Sequence, residues 1–272
     1  MLLRTLTGAV YVALIVAGIV IHQYGFFVLF SIVTVLCLWE FYGLVNAQKR
    51  TRINLYYNCF GGWLMFAVSY LYASGLCPVT IFYVYFLYLV VLLITELYEK
   101  QLDPISHAAY IVLGQVYIAL PVSLLNGIAF SLPAENAAEY RSIFVLALFV
   151  FIWINDTGAY LIGVNFGKHR LLERISPKKS WEGFFGGMLF TLASSSVFAY
   201  FYPALAVGQW AGLALAVSLF ATWGDLIESL IKRTLSIKDS GTAIPGHGGF
   251  LDRFDSLLIA VYAVLFFLGV CV

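Results

Sequence analysis

Long uninterrupted apolar runs fill this 272-residue chain and leave few folds open to it. They fall at about 5–21, 25–46, 54–73, 77–95, 106–129, 142–162, 183–202, 205–227 and 254–272, and runs of roughly 18 or more residues are what a helix needs to cross a bilayer. Composition agrees, because hydrophobic residues make up 62% of the chain and charged residues only 11%. A soluble domain carries about 25% charged residues, so this chain could not cover a water-facing surface. The expected fold is all-α: a polytopic integral membrane protein with about nine transmembrane helices.

Charge sets the expected orientation. If the helices alternate across the bilayer, all but one of the 15 basic residues fall on one side and Arg141 alone on the other. Lys and Arg collect on the cytoplasmic side, which places the N-terminus in the cytoplasm and the C-terminus outside. Pro and Gly turns around Gly25, Gly75–Pro78 and Pro203 read as tight connections between helices. The first apolar run follows a single Arg4 without a clear small-residue cleavage site, and the topology needs it as a span. A coarse division gives N-terminal helices over 1–140 and C-terminal helices carrying the chemistry over 141–272. The expected location is a bacterial plasma (inner) membrane. The net charge of +1 says nothing about nucleic acid, but no basic tail or RNA-binding pattern appears and no nucleic-acid partner is expected; the four scattered cysteines read as buried small hydrophobes.

Against this apolar background one segment stands out, from Asp225 to Asp255. Asp225, Glu228, Ser229 and Lys232 recur at i, i+3, i+4 and i+7 and share a helix face. Asp252, Asp255 and Ser256 open the last helix with the same kind of spacing. Between them, Pro245-Gly246-His247-Gly248-Gly249 is too glycine-rich for a helix and can bring bare backbone N–H groups close to an anion. Carboxylates at membrane helix ends are expensive and mark function. Set beside Lys232, Arg233, Lys238 and Arg253, they read as a divalent-metal and polyphosphate site. The plainer reading is a solvated loop whose charges enforce topology, which needs neither the acids nor the glycines.

The pattern Ser229-x-x-Lys232-Arg233, Lys238-Asp239, Pro245-Gly246-His247-Gly248-Gly249 and Asp252-Arg253-x-Asp255 resembles the signature of phosphatidate cytidylyltransferases (CDP-diacylglycerol synthases), without departure. A second polar region agrees. Asn155-Asp156-Thr157-Gly158-Ala159-Tyr160, Gly167-Lys168 and Ser176-Pro177-Lys178-Lys179-Ser180-Trp181 are similar to that family's other motif. The resemblance implies transfer of the cytidylyl group of CTP to phosphatidic acid, giving CDP-diacylglycerol and pyrophosphate at the cytoplasmic face. It implies catalytic roles for Asp225, Ser229, Lys232, Arg233, Lys238, Asp239, Asp252 and Asp255, with Asp225, Asp252 and Asp255 as metal ligands. Substrate binding would fall to Asp156, Tyr160, Lys168, Lys178, Lys179, Ser180, Gly246, His247, Gly248, Gly249 and Arg253. The implied cofactor is Mg²⁺, with a second, monovalent cation as a further option and a homodimer as one option for assembly.

Two other functions compete. A CTP-dependent lipid kinase would use similar residues but move the γ-phosphoryl group. A transporter would use intramembrane acids as an ion path, yet here the acids gather at one face and no repeat symmetry is visible. Gly163 to His169 falls one residue short of a P-loop and follows a membrane helix rather than a strand. Gly183-x-x-x-Gly187 reads as close helix packing, and His22 and His107 as structural or interfacial. Glu40, alone in the second apolar run, needs a partner that the sequence does not name.

Overall fold

The computed structural model describes residues 2–49, 51–99, 103–130, 139–238, 240–241 and 248–271. Asp239, Gly246 and His247 of the expected site lie outside the described residues. The helices are α1 (Leu2–Val20), α2 (Gln23–Lys49), α3 (Leu55–Ala73), α4 (Phe82–Glu96), α5 (Pro104–Gly114), α6 (Leu120–Ala129), α7 (Ser142–Phe166), α8 (Trp181–Phe201), α9 (Val207–Thr234) and α10 (Leu251–Cys271). A five-residue π-helical stretch, Gln115–Ala119, joins α5 to α6, so Pro104–Ala129 forms one span.

Among the described residues, seven such segments are long and apolar enough to cross a membrane. These are α2, Val79–Glu96, Pro104–Ala129, α7, α8, α9 and α10. The fold is therefore an all-helical, polytopic membrane architecture, the form in which every backbone group can be bonded within its own segment in lipid. The two further runs expected from sequence are α1 and α3. The apolar part of α1, Thr7–Val20, is shorter, and the 19 residues of α3 include Tyr, Asn, Gly, Trp and Ser, which lower its hydropathy. One departure from all-α is a small antiparallel hairpin, β1 (Arg170–Leu172) with β2 (Ser176–Ser180), in which Arg170 faces Ser180 and Leu172 faces Ser176.

Packing groups the chain into two compact units: Met1–Ser142 with Leu235–Arg253, and Ile143–Thr234 with Phe254–Val272. The division expected at 140/141 falls beside the first boundary, but the polar stretch Leu235–Arg253 belongs with the N-terminal helices. The interior of the first unit is aromatic, with Phe26, Phe30, Phe41, Tyr42 and Phe66 fully buried. A polar knot crosses it. The Tyr42 hydroxyl donates to the Ile111 carbonyl (2.8 Å), and Gln115 Nε2 donates to Tyr42 Oη (3.1 Å) and the Asn58 carbonyl (2.9 Å). Interhelical hydrogen bonds of this kind hold membrane helices together where no hydrophobic force distinguishes protein from lipid. His107 is buried and paired with Glu96 at 2.8 Å.

In the second unit α7 and α8 touch through small residues. A Cβ on Gly187 would lie 2.6 Å from the Asn155 carbonyl, and one on Gly183 would lie 2.8 Å from the Ala159 carbonyl. The Gly183-x-x-x-Gly187 spacing thus does serve packing. Asn155, itself buried, accepts a hydrogen bond from Ser218 Oγ at 2.6 Å, which pins α7 to α9.

Candidate active site

The close packing of α7 and α8 has a consequence where α7 ends. After Phe166 the chain turns at Gly167, whose Cα leaves room for Ser180 Oγ, and enters the β1–β2 hairpin. Glu182 braces that turn, accepting from the backbone N–H groups of Lys168 (3.1 Å) and His169 (3.2 Å) and pairing with His169 Nδ1 at 2.6 Å. Ser180 caps α8 by accepting from the Gly183 N–H at 3.2 Å. The hairpin is held over the ends of the helices, and a cavity of about 570 Å³ opens beneath it.

This cavity lies wholly in the second unit and gathers residues from both polar motifs. Asp156, Tyr160, Lys178, Lys179, Ser180 and Asp225 all line it. Arg170, Leu171 and Thr222 line it as well, without having been expected. Of these, only Arg170 left a trace in the sequence, as one cation among several in the loop. Lys168 is exposed on the adjoining turn and is not a lining residue.

The charges at the cavity wall are organised around Asp225. Its Oδ2 accepts from Lys179 Nζ at 2.5 Å, and its Oδ1 accepts from Ser229 Oγ at 3.3 Å. Gly224 explains why a second acid stands nearby: a Cβ there would sit 2.7 Å from the Asp255 carbonyl, so only glycine lets α9 and α10 meet at this level. Asp255, which accepts from the Ser256 N–H at 2.6 Å, feels the fields of Asp225, Asp156 and Lys179. Asp156 and Asp225 thus line the cavity together with Arg170, Lys178 and Lys179, with Asp255 nearby, so that groups of both signs are gathered in a partly desolvated place.

Further along α9, Glu228 is fully buried and ion-paired with Lys232 one turn later. Arg233 and Lys238 are exposed.

The first unit holds the glycine-rich segment by its ends, and Glu40 is central to that hold. Ser240 Oγ donates to Glu40 Oε1 at 2.9 Å, and the Leu251 N–H donates to Glu40 Oε2 at 3.0 Å. Asp252 takes the neighbouring donors, accepting through Oδ2 from the N–H groups of Ser240 (3.1 Å) and Gly249 (3.0 Å). Gly248 adopts a φ of 86°, a left-handed conformation that favours glycine. Arg253 is exposed at the start of α10. The partner that Glu40 required is therefore a hydroxyl and an N–H some 200 residues away in sequence.

Fold and site together define a helical membrane protein with a charged cavity suited to phosphate groups. The model of the cytidylyltransferase family matches residues 2–271, and the chain belongs to that family. Among curated relatives, a phosphatidate cytidylyltransferase of Staphylococcus aureus (strain COL) is 43% identical over 137 residues, covering 50% of this chain and 52% of the relative. One of Bacillus subtilis (strain 168) is 34% identical over 192 residues, covering 67% and 66%. One of Staphylococcus epidermidis (strain ATCC 12228) is 42% identical over 137 residues, covering 50% and 52%. The chain spans about half the length of the Staphylococcus relatives it matches.

Proposed function

We propose that this protein transfers the cytidylyl group of CTP to phosphatidic acid, giving CDP-diacylglycerol and pyrophosphate. The observation that carries the proposal is the convergence of Arg170, Lys178 and Lys179 with Asp156 and Asp225 around one cavity. Family membership and the names of the relatives support the choice of substrates.

In the proposed reaction a phosphate oxygen of the lipid attacks the α-phosphorus of CTP in line. The bond from the α-phosphorus to its bridging oxygen breaks, and pyrophosphate leaves. A phosphate monoester is already ionised near neutral pH, so catalysis rests on alignment and on cations that meet the developing charge. Lys178, Lys179 and Arg170 would clamp phosphate oxygens from the cavity wall. Lys232 and Arg233, further along α9, would meet the triphosphate.

The donor set fits Mg²⁺, an ion that takes one or two carboxylates and completes its shell with phosphate oxygens and water. Asp225 and Asp255 would hold it, with Asp156 beside them; Asp252, expected to join them, spends its carboxylate on the Ser240 and Gly249 N–H groups instead. Among the described residues no group of three or more Asp, Glu, His or Cys side chains is placed to hold a metal ion, so the protein's share of the shell would be two carboxylates at most. When bound, the ion would neutralise charge on the triphosphate; the Lys179 ammonium already does so for Asp225.

We read α1 and α3 as crossings too, which gives about nine spans with the N-terminus in the cytoplasm and the C-terminus outside. The cavity then faces the cytoplasm, where CTP is found, and phosphatidic acid enters sideways from the cytoplasmic leaflet of a bacterial plasma membrane. The test uses purified protein with phosphatidic acid, Mg²⁺ and CTP labelled at the α-phosphate or, in a parallel reaction, at the γ-phosphate. Label in the lipid supports the proposal. Transfer of label only from the γ-phosphate makes the protein a lipid kinase, and no transfer from either overturns both.

A further inference from the structure

Among the described residues, every Lys and Arg that lines the cavity of the second unit stands on the β1–β2 hairpin: Arg170 on β1, Lys178 and Lys179 on β2. Strands of three and five residues do little to hold themselves in place. Their pairing is also irregular between Arg170 and Leu172. The base of the hairpin is tied instead by the first turn of α8. The Trp181 N–H donates to the His169 carbonyl at 2.9 Å. One residue on, Glu182 Oε2 accepts from the N–H groups of Lys168 (3.1 Å) and His169 (3.2 Å), while its Oε1 pairs with His169 Nδ1 at 2.6 Å. Glu182 is not itself a lining residue. It grips the chain from outside the cavity, immediately before the first of the three cations.

We propose that Glu182 is a positioning residue: by holding residues 168 and 169 it sets the hairpin, and with it Arg170, Lys178 and Lys179, where the three cations grip phosphate. The inference rests on the proposed function, which makes that phosphate the triphosphate of CTP or the headgroup of phosphatidic acid. Reach, not charge, is what the role requires. A glutamine keeps the reach, its oxygen accepting from the two backbone N–H groups and its amide donating to Nδ1 of a neutral His169. An aspartate keeps the charge but is one methylene shorter and withdraws from residues 168 and 169. A role confined to α8 requires the opposite order, because a negative charge in the first turn of a helix is favourable whatever its reach.

The cations grip phosphate in the ground and transition states alike, so loosening the hairpin raises KM and spares kcat. Glu182→Ala and Glu182→Asp are each expected to raise KM about fivefold to tenfold, with kcat within about threefold of wild type. A rise in KM for CTP assigns the grip to the triphosphate, and a rise in KM for phosphatidic acid assigns it to the lipid. Glu182→Gln is expected to stay within about twofold of wild type for both. Trypsin gives a second readout that needs no activity, since it cuts after Arg170, Arg174, Lys178 and Lys179. Cleavage there should be about fivefold to tenfold faster in the alanine and aspartate variants, following the population of opened hairpin.

Glu182→Asp near wild type with Glu182→Gln as impaired as Glu182→Ala would overturn the inference by showing that charge at α8 is what matters. So would an unchanged KM for both substrates in Glu182→Ala, a loss confined to kcat, or equal cleavage in all four proteins. If Glu182→Ala does not insert, Glu182→Asp against Glu182→Gln carries the same comparison. Wild-type protein that releases no pyrophosphate from CTP and phosphatidic acid sinks the proposed function. In that case cleavage and equilibrium binding of each substrate by the same variants decide the role of Glu182, and wild-type protein that binds neither overturns both.

Discussion

Two groups of carboxylates, one in each unit, answer the same physical problem in opposite ways. In the first unit Glu40 and Asp252 spend their oxygens on N–H and O–H donors of the chain itself, at 2.9 to 3.1 Å. In the second, Asp225 meets a lysine at a cavity wall, and Asp255 and Asp156 lie within its field. The first arrangement is satisfied internally and fixes a backbone. The second keeps acids and cations together beside a space large enough for a ligand, which a folded protein tolerates where function requires it. Carboxylates in a membrane chain are thus not one class: what accepts the charge decides whether an acid builds the site or works in it.

The largest effect expected from this contrast is in the second unit. Asp225→Asn should lower turnover roughly a hundred- to thousandfold, as for loss of a key electrostatic group, while thermal stability in detergent stays near wild type. Pyrophosphate release and a melting curve on the same preparation check both halves. Turnover within tenfold of wild type would remove Asp225 from the chemistry and make the second group as structural as the first.

Gly249→Ala should behave in the opposite way. The added Cβ overlaps Glu40 Oε1 and Ser240 Oγ, so the backbone there must shift. Overpacking of this kind costs roughly 1–3 kcal/mol, which should lower the melting temperature together with activity. Combining it with Glu40→Ala should recover part of the melting temperature, because the obstructing oxygen is gone. A Gly249→Ala protein that melts like wild type would show that Glu40 and Ser240 do not meet Gly249 as described.

The contrast also shows what could be read in the sequence. The apolar runs located the helices because lipid imposes one local rule on every span, and α4 to α10 fall within a few residues of the expected runs. α9 continues to Thr234, beyond the apolar run, because the Glu228–Lys232 pair lets charged residues stay helical. The cavity residues Asp156, Lys178, Lys179 and Asp225 were legible as clustered charge in a greasy chain. The hairpin was not, since strands reading RLL and SPKKS show no apolar alternation. Nor was the role of Glu40, because its donors are a backbone N–H and a serine with no periodic link to α2. Local rules leave local traces; a bond between residues 200 apart leaves none.

Lys179→Met should fall next in size. It keeps the apolar stem of the side chain and removes the ammonium from Asp225 Oδ2. Hydrogen bonds to charged groups contribute about 1.5–3 kcal/mol, so KM for CTP should rise about tenfold or somewhat more if the same ammonium also meets phosphate. Varying Mg²⁺ at fixed CTP separates its two partners. If Lys179 mainly neutralises Asp225, high Mg²⁺ should recover most of the loss, whereas a phosphate clamp should not be replaced. An unchanged KM at all Mg²⁺ levels would leave the ion pair as a packing feature.

Ser229→Ala should give the smallest change and set the scale for the others. Its hydroxyl lies 3.3 Å from Asp225 Oδ1, beyond the usual 2.5–3.0 Å of an O–H···O bond, so it orients the carboxylate weakly. A neutral side-chain bond of this kind contributes about 1 kcal/mol, which corresponds to roughly a fivefold fall in kcat/KM with stability unchanged. Ser229 belongs to the signature, and a fall of a hundredfold or more would mean that its hydroxyl contacts the substrate directly instead of acting through Asp225. Pairing Ser229→Ala with Asp225→Asn distinguishes the two. If Ser229 works only through Asp225, the double variant should be no slower than Asp225→Asn alone. A further fall in the double variant would add the hydroxyl to the groups that touch phosphate and enlarge the working half of the contrast by one residue.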